Sequence, residues 1–334
     1  MDEVAPGIHR LPLPLDGPPG SVNAYVVEGD DGLLLVDCGW NTRETYAAVE
    51  DGLASIGRTV GDIRTIAVTH IHPDHFGLAA HVAKASGATE LMHRRDAALV
   101  GGRYEDARET VSAMETWLRS HGLPEGEVEA TAGASLWMLS LVDVRRPDVL
   151  LAGGETVNCG RYAFEVIPTP GHSAGLYCLF DQASGVLLSS DHVLERISPH
   201  IGLHAQSSED PVQEYLDALG RVRDLPASIV LPGHGAPFRD LAGRVDALAR
   251  HHDERNDRML RALDDDEETA YAVAGRLPWR GSADGWRALA PFDRRMALTE
   301  TVAHLEHLAL QGRLARDRRD GLVRYRRAEG SRAV

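Results

Sequence analysis

Thr69-His70-Ile71-His72-Pro73-Asp74-His75 follows an apolar, β-branched run, Ile63 to Val68, that reads as a short buried strand. After it, Asp74 to Ser86 reads as a helix with Leu78, His81, Val82 and Ala85 on one face. The histidines therefore sit on the turn between a strand end and a helix start, and Pro73 stiffens that turn. Three imidazoles and a carboxylate within six residues are costly to crowd together unless a cation orders them. Imidazole and carboxylate are the ligand types that suit Zn, Fe or Mn. A polar surface cluster is the competing reading, and a lone His-x-His would leave it open. The full His-x-His-x-Asp-His on such a turn favours a metal.

Other strand ends repeat the pattern. Ser21 to Glu28 and Gly32 to Val36 read as a hairpin closed by Gly29-Asp30-Asp31-Gly32, and its second strand delivers Asp37. Asn41 resembles an N-cap, with Glu44 three residues on, opening a helix to about Ile56. A strand over Gly87 to His93 follows the histidine cluster, and strands return over Gly153 to Pro170, ending in Thr169-Pro170-Gly171-His172. The hairpin of Leu176 to Phe180 and Gly185 to Ser189 runs into Asp191, and Ser228 to Leu231 ends in Pro232-Gly233-His234-Gly235. Singly, each Asp or His reads as a loop residue. Five strand ends presenting the same ligand chemistry are hard to dismiss together.

Between them, Tyr104 to Asp143 has helical spacing, with Val111, Met114, Trp117 and Leu118 before Gly122-Leu123-Pro124 and Leu136, Trp137, Leu139 and Leu141 after it. It is either a helical pair packed on the core or a flap whose Trp and Met side chains bury an apolar ligand. On the flap reading Trp117 and Trp137 touch substrate. His200 and His204, on the loop beyond Asp191 and His192, are further candidate substrate contacts beside the simpler reading of a solvated loop. From about His251 the chain reads as a small second domain. Helices over 253–263, 269–276 and 295–311 surround the acidic run Asp264 to Glu268 and precede a hairpin on Asp320-Gly321.

With 334 residues the chain can hold a large α/β domain and a smaller one. Its 43% apolar and 25% charged residues are those of a soluble globular protein. A net charge of −15 makes nucleic acid an unlikely partner, since phosphate binding needs basic surface. No signal-type segment or membrane-length apolar run is found. Cys38, Cys159 and Cys178, odd in number and widely spaced, suit reduced thiols in a cytoplasm.

The set Asp37, His70-x-His72-x-Asp74-His75, His172, Asp191 and His234 resembles the five motifs of the metallo-β-lactamase superfamily, in order, over about residues 5 to 250. The resemblance implies an αββα sandwich, hence an α/β fold, over residues 1–250, with the helical insert at about 104–143 and an active site at one edge. The C-terminal part, 251–334, is similar to the winged-helix-like α+β appendage of the β-lactamase-like protein 2 subgroup.

Spacing and resemblance together imply a hydrolase with two divalent metals, zinc first and Fe or Mn as alternatives. His70, His72 and His172 would hold one metal, Asp74, His75 and His234 the other, and Asp191 would bridge them. Asp37 would orient a ligand imidazole. Two metals sharing a water generate a hydroxide that attacks an ester-like bond, with a thioester or lactone favoured. The expected partner is a small molecule with an apolar or acyl portion, in the cytoplasm and away from membranes, and a homodimer is compatible. The alternatives are an endoribonuclease or phosphodiesterase of the winged-helix subgroup, which the arginines of the final hairpin keep open, and a mono-iron persulfide dioxygenase. The intact Asp74, His75 and His234 set argues against a site built for one iron.

Overall fold

The computed structural model of the chain describes residues 1–17, 19–105, 107–263, 267–279 and 285–328. Asp264, Asp265 and Asp266 of the acidic run therefore lie outside the described residues. The chain divides into two compact units that interleave along the sequence. The first is Met1–Glu105, Trp137–Pro199 and Ala218–Asp246, and the second is Asp106–Leu136, His200–Asp217 and Ala247–Val334.

In the first unit, seven strands follow one another across a sheet in chain order: β1 (Asp2–Ala5), β2 (Ile8–Pro14), β3 (Ser21–Gly29), β4 (Gly32–Val36), β5 (Ile63–Val68), β6 (Thr89–His93) and β7 (Val149–Leu151). Pairing is antiparallel up to β4 and parallel from β4 to β7. A second sheet holds β8 (Thr156–Cys159), β9 (Tyr162–Pro168), β10 (Tyr177–Asp181), β11 (Val186–Ser190) and β12 (Ile229–Pro232) in the order β12-β11-β10-β9-β8. Only β11 and β12 run parallel within it.

The continuous apolar run of β4 follows from burial on both faces. Leu34 and Val36 pack with Phe164, Val166, Leu179 and Leu188 of the second sheet, whereas Leu33 and Leu35 pack with Val49, Leu53 and Val82. Those last three lie on α1 (Arg43–Ser55) and α3 (Ala79–Ser86), which thereby cover the outer face. The helix expected from Asp74 to Ser86 is broken. It consists of α2 (Pro73–Phe76) and α3, because the Leu78 N–H donates to the Gly39 carbonyl at 3.0 Å instead of continuing the helix. The N-cap of α1 is Thr42, not Asn41, since the Thr42 hydroxyl accepts from the Thr45 N–H at 3.1 Å. A short helix, α4 (Arg94–Ala97), follows β6. Because β4 and β5 are parallel, Asp37 and the Thr69–His75 turn leave the same edge of the sheet.

The second unit is helical. Leu118 of α5 (Ala107–Ser120) and Val128 of α6 (Glu125–Ala132) share a buried cluster with Met259, Leu298, Leu305 and Tyr325. Two helices, α7 (Pro211–Val222) and α8 (Leu241–Ala262), run across the boundary between units along the chain. They are followed by α9 (Ala270–Ala274), α10 (Pro291–Leu310) and the hairpin of β13 (Leu314–Arg319) and β14 (Leu322–Arg327). Asp320 and Gly321 turn that hairpin at φ 53° and 79°, as a two-residue turn of this type requires. The insert expected as one piece is divided: α5 and α6 belong to the second unit, and the chain rejoins the first at Trp137.

Candidate metal centre

Every ligand-type residue singled out in the sequence lies in the first unit, just beyond a strand end or on α2. Three groups have ligand atoms within 4.8 Å of one another: His70, His72 and His172; Asp74, His75 and His234; and His70, His75 and Asp191. The third group links the other two. Asp191 Oδ2 is 3.5 Å from His172 Nε2 and 3.5 Å from His234 Nε2, while Oδ1 is 3.5 Å from His75 Nε2. Asp74 Oδ2 is 3.3 Å from His234 Nε2.

His75 Nε2 and Asp191 Oδ1 are buried and make no hydrogen bond among the described residues. A shared cation would satisfy both, so the residues present fit a metal. Gly233 is part of the fit, because a Cβ there would collide with the Asp191 carboxylate and press on the His75 ring.

The rings are held from behind. His75 Nδ1 donates to Asp37 Oδ2 at 2.8 Å, and His234 Nδ1 donates to the Ser21 carbonyl at 2.9 Å. An acceptor at each Nδ1 fixes the tautomer and leaves Nε2 free to ligate. Asp37 Oδ1 also accepts from the Thr69 N–H at 2.8 Å, and the Thr69 hydroxyl lies 2.6 Å from that of Ser190. Asp37 and Ser190 adopt left-handed backbone at φ 60° and 46°, strain that this network offsets. Thr69 and Ser190 carried no motif-level signal, and only their position beside ligands could have drawn attention to them.

Burial, reinforced by neighbouring histidines, drives His70 and His72 well below the usual imidazole range and keeps them neutral. At His75 burial pulls the same way, but the Asp191, Asp37 and Asp74 carboxylates outweigh it and hold the ring well above its ordinary value. His234 is likewise pushed up to about 10, with Asp191 and Asp74 overcoming burial. Protons on these rings offset the surrounding carboxylates, a task a bound cation would take over.

The candidate substrate contacts separate. Trp137 is 48% exposed in the first unit and meets the Trp40 ring edge-on at 5.8 Å. Trp117 packs at the margin of the second unit's core with its ring over His121 at 4.4 Å. His200 and His204 also lie in the second unit. There His200 Nε2 is 3.3 Å from the Thr299 hydroxyl, and His204 Nδ1 accepts from the Gln206 N–H at 3.2 Å.

Comparison with known proteins agrees with this geometry. The profile of the Metallo-beta-lactamase superfamily matches residues 17–234, and that of the Metallo-beta-lactamase-like, C-terminal domain matches 286–328. A "Probable metallo-hydrolase YqjP" of Bacillus subtilis is 27% identical, covering 90% of each chain. A "Beta-lactamase-like protein 2 homolog" of Caenorhabditis elegans is 26% identical over 77% of this chain and 72% of its own. The crystal structure of a metallo-beta-lactamase family protein from Thermus thermophilus superposes with a TM-score of 0.82 at 31% identity, over 97% of this chain and 100% of that one. A more distant relative, "Atrochrysone carboxyl ACP thioesterase" of Aspergillus fumigatus, is 20% identical over 72% of this chain and 44% of its own. Among the described residues no helix is long and apolar enough to cross a membrane.

Proposed function

Because this chain belongs to the metallo-β-lactamase superfamily, we propose that it is a dinuclear metallohydrolase of ester-like bonds, with thioesters or lactones as its substrate class. His70, His72 and His172 would hold one metal and Asp74, His75 and His234 the other, with Asp191 placed to serve both. The observation that carries this reading is the Asp191 carboxylate, 3.5 Å from a histidine of each triad. Two divalent cations, zinc first among the candidates, would lower the pKa of a shared water and polarise the carbonyl under attack.

The chain's own residues orient the reaction. Asp37 and the Ser21 carbonyl each hold a proton on an Nδ1, so a cation that displaces the Nε2 protons of His75 and His234 would find both lone pairs already aimed. Trp40, on the loop that follows Asp37, and Trp137, from the 133–141 turn, together offer an apolar surface suited to an acyl or aromatic portion. The thioesterase relative supports a thioester more than a β-lactam. A ribonuclease reading gains little from the final hairpin, where Arg316 pairs with Glu306 and Arg319 with Asp317. We place the enzyme in the cytoplasm on its buried free thiols, Cys38, Cys159 and Cys178. We also keep the limit of the catalytic domain near residue 250, beyond the end of the superfamily match at 234.

The test is a panel of acyl-thioesters, lactones, β-lactams and short RNA offered to metal-analysed protein. Turnover of thioesters or lactones that is lost with chelation is the expected result. Turnover of RNA alone would replace this reading with the nuclease.

A further inference from the structure

Asp96 lies on α4, outside every motif noted in the sequence, and is fully buried. Its Oδ2 accepts from the Ile71 N–H at 2.9 Å and from the Ser173 hydroxyl at 2.8 Å, and its Oδ1 accepts from the Gly175 N–H at 2.6 Å. Ile71 stands between His70 and His72, and Ser173 follows His172. One carboxylate therefore grips both loops that supply the His70, His72 and His172 triad. The next peptide along, between Ile71 and His72, is held as well, because the buried Tyr104 hydroxyl donates to the Ile71 carbonyl at 2.6 Å. Gly175 is matched to the arrangement, since a Cβ there would collide with the Asp96 backbone and carboxylate.

We propose that Asp96 is a positioning residue that sets the spacing of the His70–His72–His172 triad, with Tyr104 as its counterpart on the neighbouring Ile71–His72 peptide. The inference rests on the reading of that triad as a metal site. The loops 70–72 and 172–175 are distant in sequence; beside the triad the Tyr177 N–H donates to the Thr69 carbonyl at 3.2 Å, and at the triad itself Asp96 ties one loop to the other. A buried carboxylate with its accepting positions filled by two N–H groups and a hydroxyl is a rigid spacer. Asparagine at this place keeps the shape but turns an NH2 toward one of those donors. Either Ile71 or the 173–175 turn must then retreat, and the triad opens. The second triad, on α2 and beyond β12, has no contact with Asp96 among the described residues.

The experiment is a zinc titration of metal-stripped full-length protein against a competing chelator, read alongside Tm and the visible spectrum of the cobalt-substituted form. Wild type, Asp96→Asn, Ser173→Ala and Tyr104→Phe are compared. Asp96→Asn is expected to weaken one metal equivalent by about 10–100-fold and leave the other unchanged. Ser173→Ala and Tyr104→Phe should weaken the same equivalent by less, with little change in Tm and a shifted cobalt spectrum. Unchanged affinities in folded Asp96→Asn would overturn the proposal. If Asp96→Asn does not fold, unchanged affinities in both Ser173→Ala and Tyr104→Phe would overturn it. Equal weakening of both equivalents in step with a fall in Tm would also overturn it, as a general loss of packing. A wild-type chain that binds no zinc would instead overturn the metal reading beneath it.

Discussion

Glu90, on β6, is fully buried, and neither of its carboxylate oxygens makes a hydrogen bond among the described residues. Arg145 Nη1, at 4.0 Å, compensates little, and burial pushes the Glu90 pKa from 4.5 up to about 7. A carboxyl raised in the folded state keeps its proton where the unfolded chain has lost it. Its contribution is therefore complete below about pH 4.5 and is lost as pH rises to about 7, a decline of about 3 kcal/mol. Glu90→Gln should flatten that decline, so denaturant unfolding at pH 5 and pH 8 should show its stability relative to wild type rising with pH. An identical pH slope in both proteins would show that Glu90 ionises freely. At this scale the sequence reveals ligand-type residues better than the residues that hold them. His and Asp at strand ends carry a chemical signature, whereas Thr69, Ser190 and Asp96 are ordinary residues until the fold brings their partners to them. Asp37 was legible as a strand-end carboxylate, but its left-handed backbone was not.

At the scale of elements, strands with strong alternation or continuous apolar runs were readable, and β1, β2 and β7 were not. Pro12 and Pro14 obscure β2, since proline argues against a strand interior. They are tolerated because β1 pairs only with Ile8 to Arg10, so β2 is an open edge beyond that point. Helical spacing leaves the Tyr104 to Asp143 insert open between a core-packed helical pair and a flap, because it does not say which core a helix packs on. Its division places Trp137 and Trp117 in different surroundings and makes their variants distinguishable. Trp137→Ala should raise KM for bulky apolar substrates, by several-fold for each carbon no longer buried at about 0.8 kcal/mol per methylene. It should leave metal content and turnover of a small activated ester unchanged. Trp117→Ala should instead lower Tm, since that ring packs at the margin of a core. Steady-state kinetics over an acyl-chain series, with thermal unfolding of both variants, checks the contrast, and the reverse assignment of effects would contradict it.

For the whole molecule, the second unit binds segments far apart in the chain. Leu118, Leu123 and Val128 are covered by Met259, Leu298, Leu305 and Leu308. Truncation after Arg250 removes that cover and should yield aggregated protein or protein that binds an apolar dye, by size-exclusion chromatography and fluorescence. A monodisperse, folded truncated chain would show instead that α5 and α6 need no partner. The C-terminal helices and Asp-Gly hairpin were legible as a domain; its sharing of residues 106–136 and 200–217 was not, because hydrophobic spacing marks a buried face without marking what buries it. The central claim concerns the first unit and is counted in metal ions. Metal analysis of unchelated, active full-length protein should approach two equivalents per chain, and Asp191→Ala should lose occupancy together with nearly all hydrolysis. A fully active chain holding a single metal would contradict the dinuclear site.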